Sequence, residues 1–257
     1  QNLDHVSFRT AHDFYEGLAF KDPYTNNHIP HGRGFMVYGN GYTYDGEWSN
    51  GCYHGEGVLC FPDGRRYVGD FIMGKKQGQG NFQWPNGRVY EGEFDNSHIN
   101  GQGTLTTPDG TILKGIWQNE ELHGRGEIDF PDGQRYSGSF KNSKLHGHGR
   151  FIYKDGAIYD GNFDNDLING QGTYTFPDGG KYEGSYCNGL RHGNGTFKWP
   201  NGNTYIGQFQ NEGMNGNGVM KYRDGTRFEG EFVNNKKLKG IFTDQDGKSR
   251  AEVWHDQ

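Results

Sequence analysis

The sequence predicts an all-β fold, an elongated single-layer antiparallel β-hairpin solenoid of about ten 23-residue repeats, curved into a trough. Three observations support this prediction. A Tyr-x-Gly triplet recurs every 23 residues, apolar and polar side chains alternate within each repeat, and the composition disfavours helices. Because the chain has 45 glycines and only four alanines, no long segment has the composition of a stable helix.

The first strand of each repeat contains the triplet and an aromatic residue two positions after its glycine. Tyr44, Gly46 and Trp48 lie on one face of this strand, whereas Asp45 and Glu47 point to the other. The repeats therefore have an aromatic face and a polar, often acidic face. The triplets begin at Tyr44, Tyr67, Tyr90, Leu113, Tyr136, Tyr159, Tyr182, Tyr205 and Phe228.

The second strand of each repeat begins near a Gly-x-Gly, such as Gly55-Glu56-Gly57. Alternating apolar residues follow it and indicate a strand with one apolar face. Glycines on that face predict that a ring from a neighbouring strand lies flat on the backbone. Clear apolar pairs are Phe82/Trp84, Ile128/Phe130, Phe151/Tyr153, Tyr174/Phe176, Phe197/Trp199 and Met220/Tyr222.

Pro-Asp-Gly or Pro-Asn-Gly turns join successive hairpins. Proline presets φ at these turns, and the Asx-Gly pair is expected to accept positive φ. Six of the eight prolines occupy this one position: Pro62, Pro85, Pro108, Pro131, Pro177 and Pro200.

The repeat register divides the chain into a regular array over residues 44–240 and two irregular ends. Residues 1–43 are predicted to form an N-terminal cap and an irregular first repeat, with extra residues around 22–29. Residues 241–257 form a C-terminal cap or tail that contains Trp254. Repeat arrays need atypical terminal repeats as caps, so capping is favoured over the alternative of separate docking elements.

The segment from Tyr44 to Gly57 reads Tyr-x-Gly-x-Trp-x-x-Gly-x-x-His-Gly-x-Gly. This pattern resembles the MORN repeat, and the resemblance covers about residues 15 to 240. It implies a non-enzymatic scaffold or adaptor. Because the repeats fill nearly the whole chain, the protein resembles the cytoskeletal and axonemal members, including radial-spoke proteins, which implies a cytoplasmic location in a cilium or flagellum.

Charge and composition disfavour several other functions. A net charge of −6 argues against nucleic acid as a partner. Three cysteines are too few for a disulfide framework, which fits a reducing compartment, and no apolar run is long enough to span a membrane. The chain lacks a phosphate-binding Gly-x-x-x-x-Gly-Lys-(Ser/Thr) motif and a Gly-x-Ser-x-Gly nucleophile motif. We therefore expect no enzymatic activity and no cofactor.

Histidines recur near the Gly-x-Gly of several repeats and raise the question of a metal site. Local groups exist only at Cys52/His54/Cys60 and at His146/His148. Repeats are expected to lie about 10 Å apart, whereas zinc ligands lie about 2 Å from a shared ion. We therefore predict no metal site and expect these histidines to hydrogen-bond the backbone at turns.

The aromatic face is the predicted binding surface, because a single layer has no second layer to cover its rings. A helix or an extended segment of a protein partner is expected to lie in the trough. The central repeats are expected to contribute most. The predicted partner-binding residues are Tyr90, Phe94, Trp117, Tyr136, Phe140, Tyr159 and Phe163.

Two alternative functions remain open at this stage. The first is a membrane-associated tether that binds phosphoinositides. The overall charge disfavours it, because the basic clusters along the sequence are short, at Lys75-Lys76 and within residues 235–239. The second is the targeting segment of a larger enzyme. The partner and the oligomeric state are not determined by the sequence.

Overall fold

A computed structural model describes residues 2–254, and these residues form β-strands, turns and loops. They divide into two compact units, with the boundary after Pro131. The first unit contains β1 (Asp4–Arg9), β2 (Phe14–Lys21), β3 (His28–Val37), β4 (Thr43–Ser49), β5 (Cys52–Cys60), β6 (Arg66–Ile72), β7 (Lys75–Gln83), β8 (Val89–Asp95), β9 (His98–Thr106), β10 (Ile112–Gln118) and β11 (Glu121–Asp129).

The second unit contains the same number of strands. They are β12 (Arg135–Lys141), β13 (Lys144–Ile152), β14 (Ile158–Asp164), β15 (Leu167–Thr175), β16 (Lys181–Cys187), β17 (Leu190–Lys198), β18 (Thr204–Gln210), β19 (Gly213–Lys221), β20 (Arg227–Val233), β21 (Lys236–Thr243) and β22 (Ser249–Val253). Within each unit every strand pairs antiparallel with its neighbours in sequence, as β4 does with β3 and β5. The predicted all-β hairpin array is confirmed.

The tight turn inside each hairpin is a feature that the sequence analysis missed. Asn50 and Gly51 connect β4 to β5 with φ values of 50° and 78°. Two consecutive positive φ angles define the type I′ turn, whose twist matches that of the flanking strands. Asparagine fills the first position in almost every repeat because its short polar side chain tolerates the left-handed region.

The turns between hairpins contain the predicted Pro-Asx-Gly sequence. The amide of Gly64 donates to the carbonyl of Phe61 at 3.0 Å, and the carboxylate of Asp63 accepts from the amide of Arg65 at 3.1 Å. Gly64 has a φ of 89°, but Asp63 does not have a positive φ. The expectation that the whole Asx-Gly pair adopts positive φ is therefore wrong for the Asx residue, which acts through its side chain instead.

A β-bulge interrupts each regular hairpin at its Gly-x-Gly. Gly46 pairs with Gly57, but the next residue, Glu47, pairs with His54. Gly55 therefore lies in the bulge, where its φ is 57°. The first glycine of Gly-x-Gly supplies this left-handed conformation, and the second lies in the strand register.

The two ends of the chain also form strands. β1 pairs with β2, and β22 pairs with β21. The ring of Trp254 lies edge-on to Phe228 with a centroid distance of 5.2 Å. The predicted boundaries at 43/44 and 240/241 stay predictions, and residue 1 and residues 255–257 lie outside the described residues. The described segment contains no helix that could cross a bilayer.

Candidate functional site

The core of the aromatic face is built from the leading residue of each repeat, which is a tyrosine except at Leu113 and Phe228. The side chain of Tyr44 lies over the paired glycines Gly46 and Gly57. A Cβ on Gly57 would lie 2.7 Å from Cζ of Tyr44. For Gly57 the ring comes from a neighbouring strand, as predicted, whereas for Gly46 it comes from the same strand. The glycines are required because a side chain at either position would overlap the ring.

A hydrogen bond fixes the ring of each leading tyrosine at the bulge. The hydroxyl of Tyr44 donates to the carbonyl of Glu47 at 2.8 Å, and that of Tyr159 donates to the carbonyl of Asn162 at 3.0 Å. The tyrosine thereby hydrogen-bonds the backbone where the strand ladder shifts register. Desolvation by burial raises the pKa of Tyr90, Tyr136 and Tyr182 to about 12.

Edge-to-face contacts connect these tyrosines into a continuous ladder within each unit. Tyr159 contacts Phe163 of its own strand at 5.1 Å and Tyr186 of the next repeat at 5.4 Å, both nearly perpendicular. In the first unit Tyr90 contacts Phe94 at 5.4 Å and Trp117 at 5.6 Å. Perpendicular aromatic pairs stabilise a core beyond their buried area, and here they replace the aliphatic packing of an ordinary domain.

The predicted partner-binding residues all belong to this ladder. Their exposed fractions are at most 5%, so their ring faces contact other protein atoms. The structure gives them a packing role, and their contact with a partner stays a prediction. They are Tyr90, Phe94, Trp117, Tyr136, Phe140, Tyr159 and Phe163.

A second row of rings lies beside the ladder on the same face and is only half-buried. In the second unit successive centroids along this row are 4.6 to 5.7 Å apart. We call it the outer ring row. It consists of Phe151, Tyr153, Tyr174, Phe176, Phe197 and Trp199.

The outer ring row was visible in the sequence as alternating apolar pairs. Tyr174 is the cross-strand partner of Tyr159, and Phe197 is that of Tyr182, so both rows share one face. Sequence spacing could not separate the rows, because both alternate with polar residues. The useful signal would have been the ring directly before each inter-hairpin turn, such as Phe176 before Pro177.

One further position in each repeat lies over the ladder, opposite its second aromatic residue. It is apolar in most repeats, as at Leu122, but cationic at Lys76, Arg191 and Lys237. The Lys76 ammonium lies 4.5 Å from the centroid of the Phe82 ring and 5.5 Å from that of Tyr67. Desolvation lowers the pKa of Lys76 to about 8, with a smaller contribution from the charge of Arg65.

Arg191 is better compensated than Lys76. Its guanidinium lies 5.2 Å from the ring centroid of Phe197, and its Nε donates to Glu212 at 2.7 Å. The same carboxylate accepts from the Arg191 amide at 2.7 Å. This ion pair holds a cation at the edge of the outer ring row, where it lies beside any ligand that covers Phe197.

The histidines that raised the question of a metal site contact acidic side chains or a backbone carbonyl. His146 lies 3.2 Å from the carboxylate of Asp164, and His148 lies 3.1 Å from that of Asp160. His123 contacts the carbonyl of Glu121 at 3.2 Å. Within residues 2–254 no group of three or more His, Cys, Asp or Glu side chains is arranged to hold a metal ion.

Comparison with protein families matches the model described as MORN repeat. The match comprises ten segments: residues 26–41, 44–65, 67–87, 90–112, 114–135, 136–158, 159–181, 182–204, 205–227 and 228–249. A search among curated proteins gives no significant match.

Solved structures with partial similarity include a TCP domain, a TCP10 domain and a lyase. The TCP domain of Drosophila melanogaster SAS-4, solved with a proline-rich motif of Ana2, is 14% identical, with coverage of 60% of this chain and 85% of that one and a TM-score of 0.40. A variant TCP10 domain of Danio rerio CPAP is 15% identical, with coverage of 86% and 99% and a TM-score of 0.33. Virginiamycin B lyase of Staphylococcus aureus is 12% identical, with coverage of 100% and 75% and a TM-score of 0.15. At these TM-scores none of them informs function.

Proposed function

This chain belongs to the MORN-repeat family, and we propose that it is a non-enzymatic scaffold that binds protein partners along its aromatic face. The outer ring row carries this proposal. It combines six adjoining, partly exposed rings, which is the composition typical of recognition surfaces rather than of a solvated sheet face.

The spacing of the outer ring row favours an extended segment as the bound element. Tyr153, Phe176 and Trp199 recur once per hairpin, and two strands advance the sheet by about 10 Å. A polyproline II segment advances about 9.3 Å in three residues. A segment that crosses the strands therefore places every third side chain on a successive ring, without changing its conformation.

The cellular setting that we propose is a cytoskeletal assembly, in particular a ciliary or flagellar one. This part rests on the resemblance of a repeat-only chain to axonemal members of the family. Proximity labelling with the tagged full chain in ciliated cells tests it. Enrichment of axonemal proteins supports the proposal, whereas enrichment of unrelated compartments overturns the ciliary assignment.

A pair of variants tests the role of the outer ring row. Phe176→Ala with Trp199→Ala removes two half-buried rings, and we expect it to abolish labelling of the protein partners that the parent chain labels. Ile206→Ala is the control, because Ile206 is 42% exposed on the opposite face. Circular dichroism establishes that both variants fold. Unchanged partner labelling by the folded double variant would refute the role of the row.

A further inference from the structure

The polar face of the sheet carries a hairpin with only negative charges in the first unit. β8 and β9 together contain three carboxylates and no lysine or arginine. Glu91, Glu93 and Asp95 alternate along β8 with Tyr90 and Phe94 of the aromatic face, so they point to the other side. We call β8–β9 the acidic hairpin.

The second unit carries a hairpin of the opposite sign on its polar face. β12 and β13 together contain four lysine or arginine residues and no aspartate or glutamate. Lys141 and Lys144 are cross-strand partners, and Arg150 is the partner of Ser137. These three cations lie on the face opposite Phe140. We call β12–β13 the cationic hairpin.

The carboxylates of the acidic hairpin are not neutralised by their own sheet. Their hydrogen-bond donors are neutral amides: Nδ2 of Asn81 donates to Glu91 at 2.8 Å, and Nε2 of Gln77 donates to Asp95 at 3.0 Å. Within residues 2–254, Glu91, Glu93 and Asp95 form no ion pair. Three like charges therefore follow one another along one strand without a cation beside them.

The cations of the second hairpin are equally uncompensated. Lys141 and Lys144 are both exposed and directly opposite each other, and like charges in such positions destabilise a sheet. Arg150 is opposite Asp160 in register, but that carboxylate lies 3.1 Å from His148. In the part of the chain that the structure describes, none of these three cations forms an ion pair.

The two sets of charges have matching dimensions. Glu91 and Asp95 are four residues apart on β8, and Ser137, the partner of Arg150, is four residues from Lys141 on β12. Four residues of a strand span about 13 Å. A strand like β8 laid on the cationic hairpin therefore brings one end of the acidic set to Arg150 and the other end to Lys141.

The surface beside the acidic hairpin has room for long side chains. A depression of about 690 Å³ is lined by Glu91 and by the backbone of Gly92 and Gly103, among other residues. Lysine and arginine extend their charges on long apolar stems, so those of a facing hairpin can enter it. Lys114 is the one cation among the lining residues and opposes their entry. Ile116 on β10 is 43% exposed and offers apolar area to the same contact.

We propose that the chain self-associates through its polar faces, with the acidic hairpin of one molecule on the cationic hairpin of a second copy. Both surfaces belong to one chain and follow the same 23-residue register, so their strands have the same spacing. The contact would neutralise the like-charge neighbours of each hairpin, and complementary charges fix the register of an interface. This face is opposite the outer ring row, so the inference does not depend on the proposed function.

Sedimentation velocity of the full chain tests the proposal. We expect the parent chain to self-associate at about 0.05 M salt and to dissociate towards about 0.5 M, because salt screens exposed charges. Glu91→Lys with Glu93→Lys gives the molecule two cationic hairpins, and Lys141→Glu with Lys144→Glu gives it two acidic ones. Each variant by itself is expected to weaken self-association by roughly 100-fold or more.

An equimolar mixture of these two variants identifies a second copy as the bound partner. Each variant offers the charge that the other lacks, so we expect the mixture to recover association at low salt. The matched control is Glu229→Lys with Glu231→Lys, which changes the same Glu-Gly-Glu sequence in β20 and alters the net charge equally. Glu231 is already paired with Lys239 at 3.1 Å, so the control is expected to associate like the parent chain.

Circular dichroism establishes that the variants fold. Recovery in the mixture supports the proposal directly, because two misfolded chains would not restore each other's association. A parent chain that is monomeric at low salt would overturn the proposal. So would association that neither salt nor the variants weaken, equal weakening in the control, or a mixture that stays monomeric.

Discussion

The ring of Tyr159 lies over the backbone of Gly172 so closely that a Cβ at position 172 would lie 2.6 Å from Cζ of the tyrosine. Tyr159 is on β14 and Gly172 is on the adjacent β15, where it pairs with Gly161. The same relation between a tyrosine and two paired glycines recurs along each unit. It explains why a protein with so few aliphatic residues has a buried core.

Gly172→Ala is expected to destabilise the protein by about 3 kcal/mol, because the added methyl overlaps the Tyr159 ring and the backbone cannot withdraw from its partner strand. Gly179→Ala is the control. Gly179 has a φ of 87° but no atom within 4 Å of an added Cβ, so this variant costs only the left-handed strain of about 1 kcal/mol. Urea unfolding measures both. A loss at position 172 no larger than that at 179 would contradict the ring-on-glycine interpretation.

Stability is expected to fall steeply at alkaline pH. Burial raises the pKa of Tyr90, Tyr136, Tyr182 and Tyr205 to about 12 in the folded chain, against about 10 when unfolded. Their neutral forms are therefore favoured by folding, so this stabilisation is complete below pH 10 and is lost as the pH rises towards 12. Each tyrosine contributes at most about 1.4 kcal/mol per pH unit in that interval.

Urea unfolding at several pH values between 8 and 12 (roughly the range set by these pKa values) measures how steeply the free energy of unfolding decreases with pH. In the variant Tyr182→Phe with Tyr205→Phe, the free energy of unfolding is expected to decrease less per pH unit, although the loss of two hydrogen bonds lowers stability at neutral pH by about 1 kcal/mol each. A slope equal to that of the parent chain would show that these tyrosines do not govern the alkaline transition.

Lys76→Met is expected to stabilise the protein at neutral pH by about 1 kcal/mol, because it replaces a desolvated ammonium with an apolar side chain over the ladder. The folded pKa of Lys76, about 8, is below its unfolded value. Its unfavourable contribution is therefore complete below pH 8 and decreases as the pH rises towards 10.5. The stabilisation by Lys76→Met should therefore decrease over the same pH interval.

The control for Lys76 is the neighbouring Lys75→Met. Lys75 is exposed and donates a hydrogen bond to Asn96 at 3.0 Å, so the variant is expected to change stability by less than about 0.5 kcal/mol. Thermal unfolding at pH 7 and pH 9.5 (about the middle of the titration interval) compares them. A loss of stability in Lys76→Met at pH 7 would mean that the cation–π contacts outweigh desolvation.

Glu120→Gly is expected to stabilise the protein by about 0.5 to 1 kcal/mol, because Glu120 holds the second position of a type I′ turn with a φ of 69°. Glycine adopts this conformation without steric cost, and the exposed contact of Glu120 with His98, at 3.8 Å, contributes little. Glu121→Gly, one residue later in β11, should instead destabilise. Equal signs for the two variants in urea unfolding would argue against the turn assignment.

Much of the fold can be predicted from the sequence because its pairing is local. The interval between Tyr136 and Tyr159 defines one hairpin and one turn, and alternation defines which side chains share a face. The backbone conformation of the turns and bulges was predicted less well. The bulge at Gly147 and the paired positive φ angles of Asn142 and Ser143 depend on how two strands match their twist, which no single-strand pattern records.

The sequence by itself determined the repeat, its strands and the faces of the sheet, since a period of two and a 23-residue register are properties of neighbouring residues. The tertiary structure alone decided which rings are buried and which lysine side chains lie next to each other. Tyr159 is fully buried against Phe163 and against Tyr186 of the next repeat, whereas Trp199 is only half-buried, although both alternate with polar residues in the same way. Lys181, Lys198 and Lys221 are far apart along the chain and become neighbours only because antiparallel pairing aligns four strands.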